Sequence, residues 1–258
     1  MKPQDHTDLG GAQEAFLTTH WSLVDGIGAG DKDRDSTLIE VLLKRYWKPV
    51  YCYLRRKGYG NEQAKDLTQG FFHEVVLGRD LFEKADRTKG RFRSFLLIAL
   101  KRFLATAHDA ENAQKRIPKE KLVSLDTVVS TDFRQAASDF TPEESFDYAW
   151  VSALLERILA EVEARCCDDS KTIYWQVFRE KVLAPIMEGA ESPSLEEICQ
   201  KYDIETSRVA SNMIVTVKRR FQSILRQRLR ETVVSDDEVE DELEHISQFL
   251  PRLAQPGR

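Results

Sequence analysis

Apolar side chains recur along this chain every three or four positions, the spacing that gathers them on one face of an α-helix. Leu38, Leu42, Tyr46, Val50 and Tyr53 predict a helix from Ser36 to Lys57. Pro49 falls inside it and predicts a kink or a split, because proline lacks an amide hydrogen and its ring crowds the preceding turn. Ala64, Leu67, Phe71 and Val75 predict the next helix, with Asn61 as its N-cap. Gly70 lies inside that helix, where it costs about 1 kcal/mol relative to alanine. A longer helix follows from Phe92 to about Lys115, carrying Phe92, Phe95, Leu96, Ala99 and Phe103. It is apolar almost all round and is expected to be the most buried element of its domain. Upstream, residues 1–14 are polar and read as loose, and Trp21-Ser22-Leu23-Val24 reads as a short amphipathic piece.

The periodicity lapses between Ile117 and Phe140, where Pro118, Ser124, Ser130, Thr131 and Ser138 mark a linker. Within it, Leu122, Val123 and Leu125 are able to dock. Thr141-Pro142-Glu143-Glu144 then forms a capping box with proline at the first helical position. Its helix runs to about Arg165 with Phe146, Trp150, Leu154, Ile158 and Val162 as core. Another helix spans roughly Ser170 to Met187. Ser194-Leu195-Glu196-Glu197 is a second capping box and opens a short helix to Tyr202. After Asp203-Ile204 a long basic helix runs from Thr206 to Arg230, which together with the short one outlines a helix-turn-helix. A third box at Ser235–Glu238 opens a tail helix with Val239, Leu243, Ile246 and Leu250 on one stripe. No strand alternation and no internal repeat stands out. The expected fold is all-α: two small helical domains, residues 16–116 and 141–232, joined by a linker at 117–140 and followed by an acidic tail helix at 233–258.

Composition sharpens this. Gly and Pro number 12 and 8 in 258 residues, too few for a chain of tight β-turns. No apolar run reaches the ~18 residues of a membrane span, and the N-terminus lacks a charged-then-apolar leader pattern. The four cysteines, Cys52, Cys166, Cys167 and Cys199, form no C-x-x-C pair. They read as reduced thiols of a cytoplasmic protein. No clustered zinc ligands, phosphate loop, nucleophile elbow or H-E-x-x-H motif is present. His20, His73 and His108 fall in separate elements. No metal, cofactor or catalytic residue is expected, and the chain reads as a non-enzyme.

The net charge of −5 hides strong segregation. Lys89 to Arg116 holds seven bases against Asp109 and Glu111; Thr206 to Arg230 holds seven bases and no acid; Glu231 to Leu250 holds eight acids and no Lys or Arg. A phosphate backbone responds to the local field and not to the total. On the long terminal helix Ala210, Met213, Val217, Phe221 and Ile224 face inward. Arg208, Asn212, Val215, Arg219, Gln222 and Arg226 line the outward stripe. Arginine suits guanine or phosphate, asparagine suits adenine, and valine suits a thymine methyl. The bland alternative is a solvated basic helix paired with its acidic neighbour. In the earlier cationic segment Arg87, Lys89, Arg91, Arg93 and Lys101 are the nucleic-acid candidates, and Phe92 and Phe103 are expected in the core.

These residues resemble a known family. Trp21-Ser22-Leu23-Val24, Tyr46-Trp47-Lys48-Pro49-Val50-Tyr51, Asp66-Leu67-Thr68-Gln69 with Phe71-Phe72, and Gly90-Arg91-Phe92-Arg93-Ser94-Phe95-Leu96-Leu97 are similar to the second conserved region of extracytoplasmic-function sigma factors. Glu144-Ser145-Phe146-Asp147-Tyr148-Ala149-Trp150 and the helix-turn-helix resemble the fourth region. The acidic ending resembles one subgroup's tail. The resemblance covers about residues 16 to 250. It implies a factor that directs RNA polymerase to promoters and aids their melting. Glu62, Asp66, Gln69 and His73 would dock on core polymerase. Arg87, Lys89, Arg91, Arg93 and Lys101 would hold the melted minus-ten element. Arg208, Ser211, Asn212, Val215 and Arg219 would read the minus-thirty-five duplex. Partners would be core RNA polymerase and promoter DNA, with an anti-sigma factor as a further family partner for which no motif speaks. Three departures stand out: Gly70 where an acidic residue is usual, Asp203 where the turn commonly has glycine, and Ala210 where lysine is common.

Two readings of the tail follow from its charge. It folds over the recognition helix and masks it, or it packs its Val239/Leu243/Ile246 stripe on the second domain; the second is the simpler. A rival for the whole chain is a stand-alone helix-turn-helix regulator that ignores core polymerase.

Overall fold

A computed structural model describes residues 32–77, 91–114, 140–230, 232–233 and 236–253. The described residues are helical with no strand among them. The leading segment with Trp21–Val24, the bases Arg87 and Lys89, and linker residues 117–139 lie outside the described residues.

Helix α1, Lys32–Arg56, runs through Pro49 without a break. The expected split does not occur, and packing explains why. The stripe Leu42, Tyr46, Val50, Tyr53 and Leu54 is almost wholly buried. Each such side chain contributes on the order of 1.5–3 kcal/mol, which together outweigh the roughly 3 kcal/mol an interior proline costs. The helix closes at Gly58, whose φ of 102° suits only glycine. Helix α2, Asn61–Phe71, continues as a π-helical stretch over Phe72–Leu77. Its N-cap is Gly60 and not Asn61. The Asn61 side chain is engaged elsewhere, accepting a 2.7 Å hydrogen bond from the Tyr51 hydroxyl. Thr68, which the apolar pattern did not mark, is buried by donating to the Ala64 carbonyl at 2.7 Å.

Helix α3, Phe92–Gln114, buries Phe92, Leu96, Leu100 and Leu104. Its burial is one-sided: Ile98 is 49% exposed, and Lys101 and Arg102 are exposed. Among the described residues, α3 packs through one face. Phe103 is only partly buried, set edge-on against Phe71 at 5.7 Å.

Helix α4, Pro142–Asp168, starts at the expected capping box. The Thr141 side chain accepts from the Glu144 amide at 3.2 Å, and the Glu144 carboxylate accepts from the Thr141 amide at 2.7 Å. Phe146, Trp150, Leu154, Ile158 and Val162 are all buried. Helix α5, Thr172–Phe178, passes through a π-helical turn, Arg179–Leu183, into Ala184–Met187. Helix α6 is Leu195–Tyr202, helix α7 is Ser207–Arg230 and helix α8 is Asp236–Leu253. Ser235, proposed to cap α8, lies outside the described residues, as does the Leu250 side chain.

Among the described elements α1 and α4 share the most extensive contact. Tyr46 stacks on Phe146 at 6.4 Å and meets Phe92 edge-on at 5.6 Å. The buried side chains of α1–α3 and of α4–α8 therefore belong to one continuous core. The apolar stripes of α1 and α4, far apart in the sequence, meet in it. Phe140, at the linker's end, is itself buried, packed against Tyr148 and Phe249.

Candidate nucleic-acid interface

The α6–α7 corner is built from short-range rules. Ser194 accepts from the Glu197 amide at 3.1 Å, and the Glu197 carboxylate accepts from the Ser194 amide at 2.6 Å. These bonds satisfy donors that the start of α6 leaves open. Asp203 takes the left-handed conformation, φ 52° and ψ 48°, and ends α6. This is the turn position where the sequence carries aspartate, a residue that tolerates such geometry. The Ile204 amide then donates to the Cys199 carbonyl at 2.9 Å, and Ile204 is buried. The Thr206 hydroxyl accepts from the Val209 amide at 3.3 Å, so α7 starts fixed.

Helix α7 buries Ala210, Ile214, Val217, Ile224, Leu225 and Leu229. Met213 and Phe221 are partly buried against the same core. Ala210 is fully buried, so a longer side chain has no room there. Arg208, Ser211, Asn212, Val215, Arg219 and Gln222 are all exposed. Val215, at 40% exposure, is an apolar side chain standing among them. Arg208 and Arg219 meet no acidic side chain among the described residues. Arg226, at the end of the stripe, is held by Glu240 of α8, whose hydrogen bond raises the pKa of its guanidinium. Among the described residues the tail thus meets this stripe at its far end, at Arg226. Its Val239 and Ile246 are buried and Leu243 partly so, against α4 and the last turns of α7.

The first cationic segment is different. Arg93 is only 6% exposed. Its Nη1 lies 2.5 and 2.6 Å from the two carboxylate oxygens of Glu242, itself 1% exposed. Its Nε lies 3.4 Å from Asp147, and its guanidinium sits 4.5 Å over the Trp150 ring. Arg91 also reaches Glu242, at 3.1 Å. Lys101 pairs with Glu143 at 2.7 Å, a hydrogen bond that holds the Glu143 carboxyl below its usual range. The three described bases of this set are therefore occupied by carboxylates of α4 and α8. The charge runs flagged the bases and the acids but not their pairing. Glu242 sits three residues after Val239 and four before Ile246, so helical spacing alone puts it on the buried stripe.

On α2, Glu62, Asp66, Gln69 and His73 are exposed on one face, with Glu62 bonded to Lys65 at 3.1 Å. Gly70 lies behind this face, where a Cβ would meet the Phe103 ring at 3.4 Å. Other pairs went unread in the sequence. Arg220 bonds Asp169 and the Cys166 sulfur, and Arg228 bonds Glu161. All four cysteines are free thiols. Burial pushes the Cys52 thiol up to about 12. Among the described residues no cluster of His, Cys, Asp and Glu is arranged to hold a metal ion. No described helix is long and apolar enough to cross a membrane.

Comparison with family models, with characterised proteins and with solved structures returns no match for this chain.

Proposed function

We propose that the chain is a promoter-recognition factor of the extracytoplasmic-function sigma type, with two DNA-binding regions and a helix-turn-helix formed by α6 and α7. The carrying observation is the open stripe Arg208, Ser211, Asn212, Val215 and Arg219 on a helix whose opposite face is buried. A helix presenting arginine, asparagine and valine together fits a major groove. Duplex reading by α7 would place the promoter, and the exposed face Glu62, Asp66, Gln69 and His73 would meet core polymerase. Arg87, Lys89, Arg91, Arg93 and Lys101 would hold the melted strand. Duplex opening costs about 1–2 kcal/mol per step, and capture of unstacked bases offsets part of it. The polymerase would perform the phosphoryl chemistry.

One observation favours the rival reading of a stand-alone duplex-binding regulator. Arg91 and Arg93 are tied to Glu242, so α7 carries the open cationic stripe in this conformation. Pull-down with core polymerase and run-off transcription separate the two. The sigma reading expects core binding that falls when Asp66 and Gln69 are both replaced by alanine, with duplex binding through α7 unchanged. A chain that binds duplex and ignores core polymerase ends it.

A further inference from the structure

We propose that helix α8 is an autoinhibitory latch that closes the first cationic segment while leaving α7 open, with the Glu242 carboxylate occupying the place of a nucleic-acid phosphate. This rests on the reading of Arg91 and Arg93 as a nucleic-acid contact. The geometry points to it in two ways. Both arginines converge on one carboxylate that is almost fully buried, at 2.5 Å for Arg93 and 3.1 Å for Arg91. The latch is zipped from two sides: Val239 and Ile246 are buried, and Phe249 packs against Phe140, Tyr148 and His245. The groups facing the cluster are Asp147, 3.4 Å from Arg93, and His245, 3.5 Å from the same Asp147.

A buried ion pair is a poor source of net stability, because desolvation offsets much of its attraction. Removing one partner leaves the other charge uncompensated, so the arginines open to an anion that takes the carboxylate's place. The two non-bridging oxygens of a phosphodiester, like the two oxygens of a carboxylate, accept paired hydrogen bonds from arginine. A ligand that binds only the open form has its apparent affinity reduced by the fraction of chain that is open. The closed chain thus engages duplex through α7 first and single strand only after α8 lifts.

The test uses the full-length chain, a fluorescein-labelled 20-nucleotide single strand and the matching duplex, at one fixed salt concentration. Glu242→Gln is expected to tighten single-strand binding about tenfold and leave duplex binding unchanged. Adding Arg91→Ala is expected to remove the gain. Glu240→Gln, which frees Arg226 alone, leaves single-strand affinity where it was. Equal tightening on both probes would mean general repulsion by the acidic tail and would overturn the latch. A second measurement needs no variant: hydrogen exchange across α8 in the wild-type chain, with and without saturating single strand. Faster exchange in α8 supports the latch, and unchanged exchange in the bound chain overturns it. Core-polymerase pull-down runs alongside. A single-strand gain in a chain that ignores polymerase leaves the latch standing and sinks only the sigma reading.

Discussion

Arg228 reaches across from α7 to Glu161 on α4 with two guanidinium nitrogens, Nε at 3.1 Å and Nη2 at 2.7 Å. Both side chains are about three-quarters covered, at 24% and 23% exposure. Nine residues earlier on the same helix, Arg219 is exposed on the opposite stripe. One helix thus carries an arginine that fixes it and an arginine that faces outward. Arg228→Ala is expected to lower stability by about 1 kcal/mol, the discount reflecting partial solvent screening. Arg219→Ala is expected to stay within about 0.5 kcal/mol of wild type in stability. Duplex affinity divides the other way: Arg219→Ala weakens binding and reduces the salt slope by about one. Urea melts and duplex titrations at several salt concentrations measure both. Equal duplex affinity for Arg219→Ala and wild type would remove α7's outward stripe from the interface.

Gly70 gives a test of local packing. It stands in the interior of α2, and a Cβ there would rest at 3.4 Å from the Phe103 ring, ordinary contact distance. Alanine restricts the unfolded chain more than glycine does and suits a helix better. Gly70→Ala is therefore expected to raise stability by about 0.5–1 kcal/mol. A fall in melting temperature would show that the ring cannot give way. A loss of core-polymerase binding with stability intact would mean that the docking face needs the bare backbone there.

Most of this architecture was legible because helices announce themselves locally. The capping boxes at Thr141 and Ser194 and the buried stripe of α4 follow from spacing and side-chain chemistry within a few residues. What could not be read was contact across distance. Nothing near Arg93 in the chain reveals a carboxylate 149 residues away. The same holds for Tyr46 and Phe146, whose stacking joins two stretches that the linker separates. At Pro49 the helix continues and does not split, because the packing of its buried stripe outweighs the cost of the proline.

The cysteines predict a pH-dependent stability and a reactivity order. Cys52 is buried, which pushes its thiol from the ordinary 9.0 up to about 12. Between those values the unfolded chain loses this proton and the folded chain keeps it, so the unfolded state binds fewer protons and stability falls as pH rises. The slope from this thiol is about 1.4 kcal/mol per pH unit in that window, and below pH 9.0 its contribution is fully present. Cys52→Ala is expected to show a shallower alkaline loss, measured by denaturant melts from pH 8 to pH 10.5. In the native chain at neutral pH a thiol reagent should label exposed Cys167 well before Cys52. Early labelling of Cys52, located by peptide mapping, would place it outside the core.

The shared seam between α1 and α4 makes the sharpest prediction about folding. Phe146 is fully buried and stacks on Tyr46, so it belongs to both halves at once. Removing its ring leaves a cavity that both α1 and α4 line, at about 3–5 kcal/mol. Trp47 of α1, stacked on Phe72, and Trp175 of α5, packed with Phe178, report on opposite sides of this seam. If one core holds them, the fluorine resonances of Trp47 and Trp175 in one full-length chain labelled with 5-fluorotryptophan are lost at the same denaturant concentration. Phe146→Ala then shifts both transitions together and by the same amount. Two helical domains on a flexible tether behave otherwise: the Trp175 transition moves with Phe146→Ala and the Trp47 transition stays where it was. Coincident transitions that separate only when single-stranded DNA or core polymerase is added would mean that the seam opens with function.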